Sequence, residues 1–160
     1  MIPASFKCKL FSPSGDKSKT VINLPREYAE KFFDDGRIMG RYAEFLIASK
    51  GIGDRSGSEN SAYDNITIDG KRIEVRAITK YGISFAASNE VGKGRKVTKA
   101  GFKHKLDSVD YWCLVDYADV DNCKFYFITN KNVVSMDSLG ILTKNKNVCY
   151  KKIMKYLSTL

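Results

Sequence analysis

The stretch "YDNITIDGKRIEVRAIT", residues 63–79, constrains the fold more than any other part of the chain. Two short runs of β-formers flank Asp69-Gly70, a dipeptide that favours a tight hairpin turn. Side chains alternate across a strand, so Arg72, Glu74 and Arg76 share one face of the second strand while Ile73, Val75 and Ala77 share the other. One face is charged and the other apolar, and the loop length decides where Asp64 falls. A two-residue Asp69-Gly70 turn pairs Asn65 with Glu74 and puts Asp64 on the apolar side. A three-residue loop Ile68-Asp69-Gly70, with Gly70 left-handed, sets Asp64 across from Glu74 and leaves Ile66 on the charged face. Like charges directly opposed on neighbouring strands repel. A divalent cation removes that repulsion, and Mg²⁺ takes a few carboxylate oxygens together with water and phosphate. The three-residue register is therefore the one expected.

The rest of the chain supplies elements around this hairpin. Residues 5–11 alternate apolar and basic, then "SPSGDKSK" and "TVINLP" suggest a short N-terminal hairpin within residues 1–25. Pro25 suits a first helical turn for "REYAEKFFDDG", and a second helix restarts at "RIMGRYAEFLIASKG". There Ile38, Tyr42, Phe45, Leu46 and Ser49 form the expected inward stripe, with Glu44 off its centre. A Gly/Ser/Asn-rich loop leads into the hairpin. "GISFAAS" reads as a third strand, "DYWCLVDY" and "KFYFIT" as buried strands, and "NKNVVSMDSLG" as a short helix. In a last helix over "NVCYKKIMKYLSTL", Val148, Ile153, Met154 and Leu157 give the packing stripe. These elements make one α/β domain of 160 residues, a mixed β-sheet flanked by α-helices, with a core over residues 37–135 and a basic segment over 136–160.

Charge narrows the partners. Lys and Arg number 27 against 18 Asp and Glu, a formal net charge of +9, which favours polyanions such as nucleic acid. Between Val91 and Leu106 stand Lys93, Arg95, Lys96, Lys99, Lys103 and Lys105 with His104 and no acid. This run reads either as a solvated face or as a phosphate-contacting loop. Four cysteines without a C-x-x-C pair, and a single His, give no zinc pattern and read as reduced thiols. His104 reads as a surface residue, and Tyr111 and Trp112 as core. The N-terminal "MIPASFKCKLF" does not resemble a signal peptide, and no run approaches the roughly 20 apolar residues of a transmembrane helix, so a cytoplasmic protein without a membrane partner is expected.

Asp64, nine intervening residues and then "EVR" at 74–76 resembles the PD-(D/E)XK nuclease pattern, in which an Asp begins one strand and an acid-x-Lys triplet occupies the next. A preceding helix carrying a Glu, here Glu44, fits the same layout. The resemblance spans residues 37–129 and implies a restriction-endonuclease-like core and an Mg²⁺-dependent DNA endonuclease, type II restriction-like, cutting duplex DNA. Asp64 and Glu74 would hold Mg²⁺, Glu44 would assist the metal or its water, and Arg76 would stand in the lysine's place. Lys93, Arg95, Lys96, Lys99, Lys103 and Lys105 would contact phosphates, with Asn89 or Arg95 reading base edges. Small nucleases of this class often act as homodimers, one active site for each strand of a duplex.

Two departures stand out. Tyr63 replaces the proline before Asp64, which mainly shapes the strand entry. Arg76 replaces lysine and, always protonated, cannot take a proton from water, although it can orient water or stabilise transition-state charge. Lys71 or Lys80 could bring an ammonium nearby. The rivals are a catalytically inactive nucleic-acid-binding protein of the same fold, a basic RNA-binding domain, and a plain surface ion pair between Glu74 and Arg76.

Overall fold

The computed structural model describes residues 2–8, 27, 31, 34–57, 61–119 and 122–160. A six-stranded mixed sheet runs in the order β1-β7-β6-β4-β3-β2. Its strands are β1 (Ser5–Cys8), β2 (Asp54–Arg55), β3 (Asn65–Ile66), β4 (Arg72–Ile78), β6 (Tyr111–Asp116) and β7 (Cys123–Thr129). It is accompanied by helices α1 (Gly36–Ser49), α2 (Lys99–Ser108), α3 (Asn130–Ser138) and α4 (Tyr150–Leu157). A separate two-stranded sheet pairs β5 (Ile83–Ser84) with β8 (Asn147–Val148). Among the described residues no helix is long and apolar enough to cross a membrane.

Neighbouring strands of the large sheet are antiparallel except β4 and β6, which run parallel with Glu74 beside Trp112 and Arg76 beside Leu114. A parallel pair needs a long crossover, and α2 lies within it. Both sheet faces are covered. On one, Met39, Ala43 and Ile47 of α1 pack on Ile73, Val75, Cys113, Val115 and Phe125. On the other, Phe102 of α2, Val133 and Met136 of α3, and Ile153 and Leu157 of α4 pack on Ile78, Trp112, Leu114 and Ile128. Full burial of each large apolar side chain contributes about 1.5–3 kcal/mol.

Trp112 is wholly buried and meets Phe85 edge-on at 5.2 Å between ring centroids. Its indole N–H donates to Asn130 Oδ1 at 2.7 Å, and Asn130 Nδ2 donates in turn to the carbonyls of Leu106 and Val109. One side chain thus ties the end of α2, the start of β6 and the first turn of α3 together, which holds α2 at a set height over the sheet.

Several expectations need correcting. The buried stripe of α1 is Met39, Ala43 and Ile47, one residue round from the expected one, and Phe45 is 54% exposed beneath the Arg55 guanidinium, 4.1 Å from its ring centroid. The run "GISFAAS" does not join the large sheet, because after Ile78 the chain closes a tight Thr79–Gly82 bridge and β5 turns away to β8. Val148 is buried in β8, ahead of α4. The basic run is not all loop: Thr98 caps α2 by accepting from the Gly101 N–H. The second strand of the N-terminal hairpin and most of the helix after Pro25 lie outside the described residues.

Candidate active site

The hairpin has the three-residue register. Asn65 pairs with Ile73 and Ile66 with Arg72, and the loop Ile68-Asp69-Gly70 closes with Gly70 at φ +79°. This conformation favours glycine, which explains its place at the loop's end. The ladder ends at Asn65–Ile73, and Asp64 follows just outside it. Its backbone is held on both sides, the N–H donating to Ile73 O at 2.9 Å and the carbonyl accepting from the Ser56 N–H at 2.8 Å.

The Asp64 and Glu74 carboxylates nevertheless do not project side by side. β3 has ended where Val75 points its N–H out of the edge of β4, and Asp64 Oδ2 takes that hydrogen bond at 2.7 Å. Strand N–H groups lie in the plane of the sheet, so the Asp64 carboxylate lies in that plane as well. Glu74 points instead to the α2 side, where it is 5% exposed. There Lys105 Nζ sits 2.6 Å from Oε2 and Arg76 Nη2 sits 2.8 Å from Oε1. An ordinary surface pair of Glu74 and Arg76 is excluded by this burial. Lys105 also donates to the carbonyl of Ala62 at 2.9 Å, so one ammonium links the Glu74 strand to the segment that delivers Asp64.

Glu44 reaches in from α1, held by Arg41 at 3.2 Å and Arg55 at 3.3 Å. Asn65, fully buried, donates through Nδ2 to the carbonyls of Glu44 and Gly53, both at 3.0 Å, and fixes the helix against the strand. Glu44, Asp64 and Glu74 line one cleft of about 850 Å³ together with Arg41 and Arg76. Burial raises the Glu74 carboxyl above its ordinary range, more than Arg76 and Lys105 lower it, and the charge of Asp64 raises it further. Burial and Asp64 likewise raise Glu44 against the pull of Arg41 and Arg55. Asp64 therefore communicates electrostatically with both glutamates.

This donor set suits a hard divalent cation in kind, since oxygens of mutually repelling carboxylates are what Mg²⁺ takes. Asp64 and Glu74 are the residues that could hold it, with Glu44 nearby. Among the described residues, no three potential ligands converge on one point. Four cations, Arg41, Arg55, Arg76 and Lys105, instead neutralise the glutamates.

The predicted phosphate-binding segment divides. Lys93, Arg95 and Lys96 are exposed in the loop before α2, and Lys99 and Lys103 are exposed on α2 with His104. Asn89 is exposed in the single 3-10 turn Ser88–Glu90. Lys105 differs, turned inward to Glu74 with its side chain 12% exposed. From this stretch, Ser88 and Val91 line the cleft. Neither lysine suggested beside Arg76 reaches the site: Lys71 is exposed at the hairpin turn, and β4 stops at Ile78, which leaves Lys80 3.8 Å from Asp34. Sequence reasoning also missed the Arg41 and Arg55 clamp on Glu44.

A scan against protein-family models, a search of curated proteins and a search of solved structures each return no match. The site is read on its own geometry.

Proposed function

We propose that the chain is an Mg²⁺-dependent DNA endonuclease with a restriction-endonuclease-like core, hydrolysing phosphodiester bonds by water attack. The order α1, β2, β3, β4, α2, β6, with Asp64 entering β3 and Glu74-x-Arg76 on β4, supports the resemblance to PD-(D/E)XK nucleases. The single observation that carries the reading is that Asp64 and Glu74 line one cleft, with the Lys105 ammonium 2.6 Å from Glu74. That ammonium answers the main departure from the resembled pattern, the arginine at 76, because α2 brings a lysine to the acid that the strand itself lacks.

In this reading each group has a task. Lys105 and Arg76 hold both oxygens of Glu74, so the carboxylate keeps one orientation. The Arg76 guanidinium stabilises negative charge as it grows on the phosphoryl oxygens. The Val75 N–H fixes Asp64 through one oxygen. Glu44 stands on the α1 side, held by Arg41 and Arg55, where it would assist the metal or its water. Asp64 and Glu74 would hold a divalent cation, which would acidify water and neutralise phosphate charge. Water forms the new P–O bond as the bond to the leaving oxygen of the strand breaks.

One observation favours a second reading, a nucleic-acid-binding protein of this fold without chemistry: the glutamate oxygens already have side-chain cations as partners. Incubating varied DNA substrates with and without Mg²⁺ or Mn²⁺ separates the two. Metal-dependent cutting supports the enzyme, and binding without any cutting supports the rival.

A further inference from the structure

The turn after β4 carries a feature that the carboxylates do not account for. Tyr81 is 80% exposed at the tip of this turn, yet the turn is tightly built. Thr79 and Gly82 exchange two backbone hydrogen bonds at 2.9 Å, the Thr79 hydroxyl donates to Gly82 O at 3.0 Å, and the Tyr81 N–H donates back to that hydroxyl at 3.2 Å. Gly82 sits at φ +119° directly against β8, where an added Cβ would stand 2.0 Å from Val148 O. The turn is thus anchored on the β5–β8 sheet while its aromatic ring is left in water. Single exposed aromatic side chains are common on protein surfaces, so it is the ring's place on the cleft that bears on function.

The surroundings indicate which ligand. Tyr81 lines the same cleft as Asp64 and Glu74. Lys80 lies 5.4 Å from the Tyr81 ring centroid. Arg37, its side chain 93% exposed, and Arg41 line the cleft from the first turns of α1, and Gly36 of that helix approaches the Thr79 methyl, 3.1 Å from where its own Cβ would be. The cations already pair with Asp34, Asp35 and Glu44, but a planar aromatic beside them matches a nucleotide, whose base stacks on the ring and whose phosphates compete with those carboxylates for the cations. A base inside a continuous duplex has both faces covered by its neighbours. A single strand, a flap or a frayed end presents a free one.

We infer that the Lys80-Tyr81 turn is a base-stacking platform and that the cleft takes unpaired nucleotides, so that the preferred substrate is single-stranded or branched DNA, not uninterrupted duplex. This rests on the reading of the cleft as a nucleic-acid site.

Binding is measured by fluorescence anisotropy in EDTA at one fixed salt concentration, so that no cutting occurs. The probes are a dye-labelled mixed-sequence single strand and, as an unlabelled competitor, a relaxed covalently closed circular duplex of the same sequence without loops or ends. The wild type is expected to bind the single strand more tightly than the closed duplex. Tyr81→Ala should weaken single-strand binding by about fivefold or more, while Tyr81→Phe stays within about twofold of the wild type because the ring is kept. Neither change should alter binding to the closed duplex. Equal single-strand affinity for Tyr81→Ala and wild type overturns the platform. So does an equal loss in Tyr81→Phe, which would assign the effect to the hydroxyl, or a wild-type preference for closed duplex, or binding of neither probe. Cutting is assayed separately with Mg²⁺. A Tyr81 effect on binding without cutting removes the nuclease reading and keeps the platform, and cutting without a Tyr81 effect does the reverse.

Discussion

Lys105 donates from Nζ to Glu74 Oε2 at 2.6 Å across the interface between α2 and β4, with both side chains nearly out of solvent. Removing one partner of a buried ion pair leaves the other charge with part of its desolvation cost uncompensated. Arg76 stays on Glu74, which softens the loss. Lys105→Ala is expected to destabilise the fold by about 1–3 kcal/mol, read from urea unfolding. The double variant Lys105→Ala with Glu74→Gln should recover part of that loss. Strict additivity of the two single changes would show that the pair is not coupled.

Arg76 makes more than one contact. Its Nη2 meets Glu74 and also donates to Ala86 O at 3.2 Å and to Ser88 Oγ at 3.4 Å, while its Nε is buried without a hydrogen-bond partner. Arg76→Lys keeps a cation for Glu74 but loses the guanidinium fork. DNA cutting is expected to be kept or raised, since lysine matches the resembled pattern. Thermal or urea unfolding should show a stability lower by about 1 kcal/mol. Abolition of cutting in this variant, with the fold intact, would contradict the role given to the position.

The raised carboxyls set a pH dependence. Burial lifts the Glu74 and Glu44 carboxyls above their unfolded values, so the native state holds protons that the unfolded chain has released. Their contribution to stability is full below the ordinary carboxyl range and is lost as pH rises through the folded values. Part of the fall in stability as pH rises above the ordinary glutamate range is therefore assigned to Glu74. Glu74→Gln should flatten that part of the curve in urea titrations run across the range. An unchanged slope would assign the dependence elsewhere.

Gly82 joins the turn to β8. A side chain there faces both a left-handed backbone and the Val148 carbonyl, so Gly82→Ala should cost roughly 1–3 kcal/mol or more. Gly70 is the control. It also has positive φ but has nothing near its missing Cβ, so Gly70→Ala should cost less. Similar losses in the two variants would mean that packing on β8 adds nothing.

How much of this was legible beforehand follows from the range of the forces involved. The hairpin register was only partly readable: Asp69-Gly70 marks the turn locally, but strand alternation argued against the three-residue loop, which sets Ile66 on the charged face, whereas the burial of Tyr111's neighbour Trp112 followed from an apolar run. The direction of the Asp64 carboxylate was not readable, because it depends on β3 ending one residue before the Val75 N–H needs a partner. Lys105 was grouped with the phosphate-binding lysines for want of a helix. Once α2 is placed, Phe102, Leu106 and Val109 mark its inner side, and Lys105 falls beside them. The stripe of α1 was misplaced by one residue because Phe45 is apolar enough to suggest burial, while Ala43 gives little signal for the close face. The clamp on Glu44 joins α1 to β2 across a loop, a contact that no local pattern encodes.

The central claim is that Asp64 and Glu74 act together on a phosphodiester. Its most direct test is the single-turnover cutting rate of end-labelled DNA with Mg²⁺ for wild type, Asp64→Asn and Glu74→Gln, each verified as folded by circular dichroism. The account predicts metal-dependent cutting by the wild type and a loss of about a hundredfold or more in each variant. Wild-type rates in both variants, or a wild type that cuts no DNA with either Mg²⁺ or Mn²⁺, would contradict it.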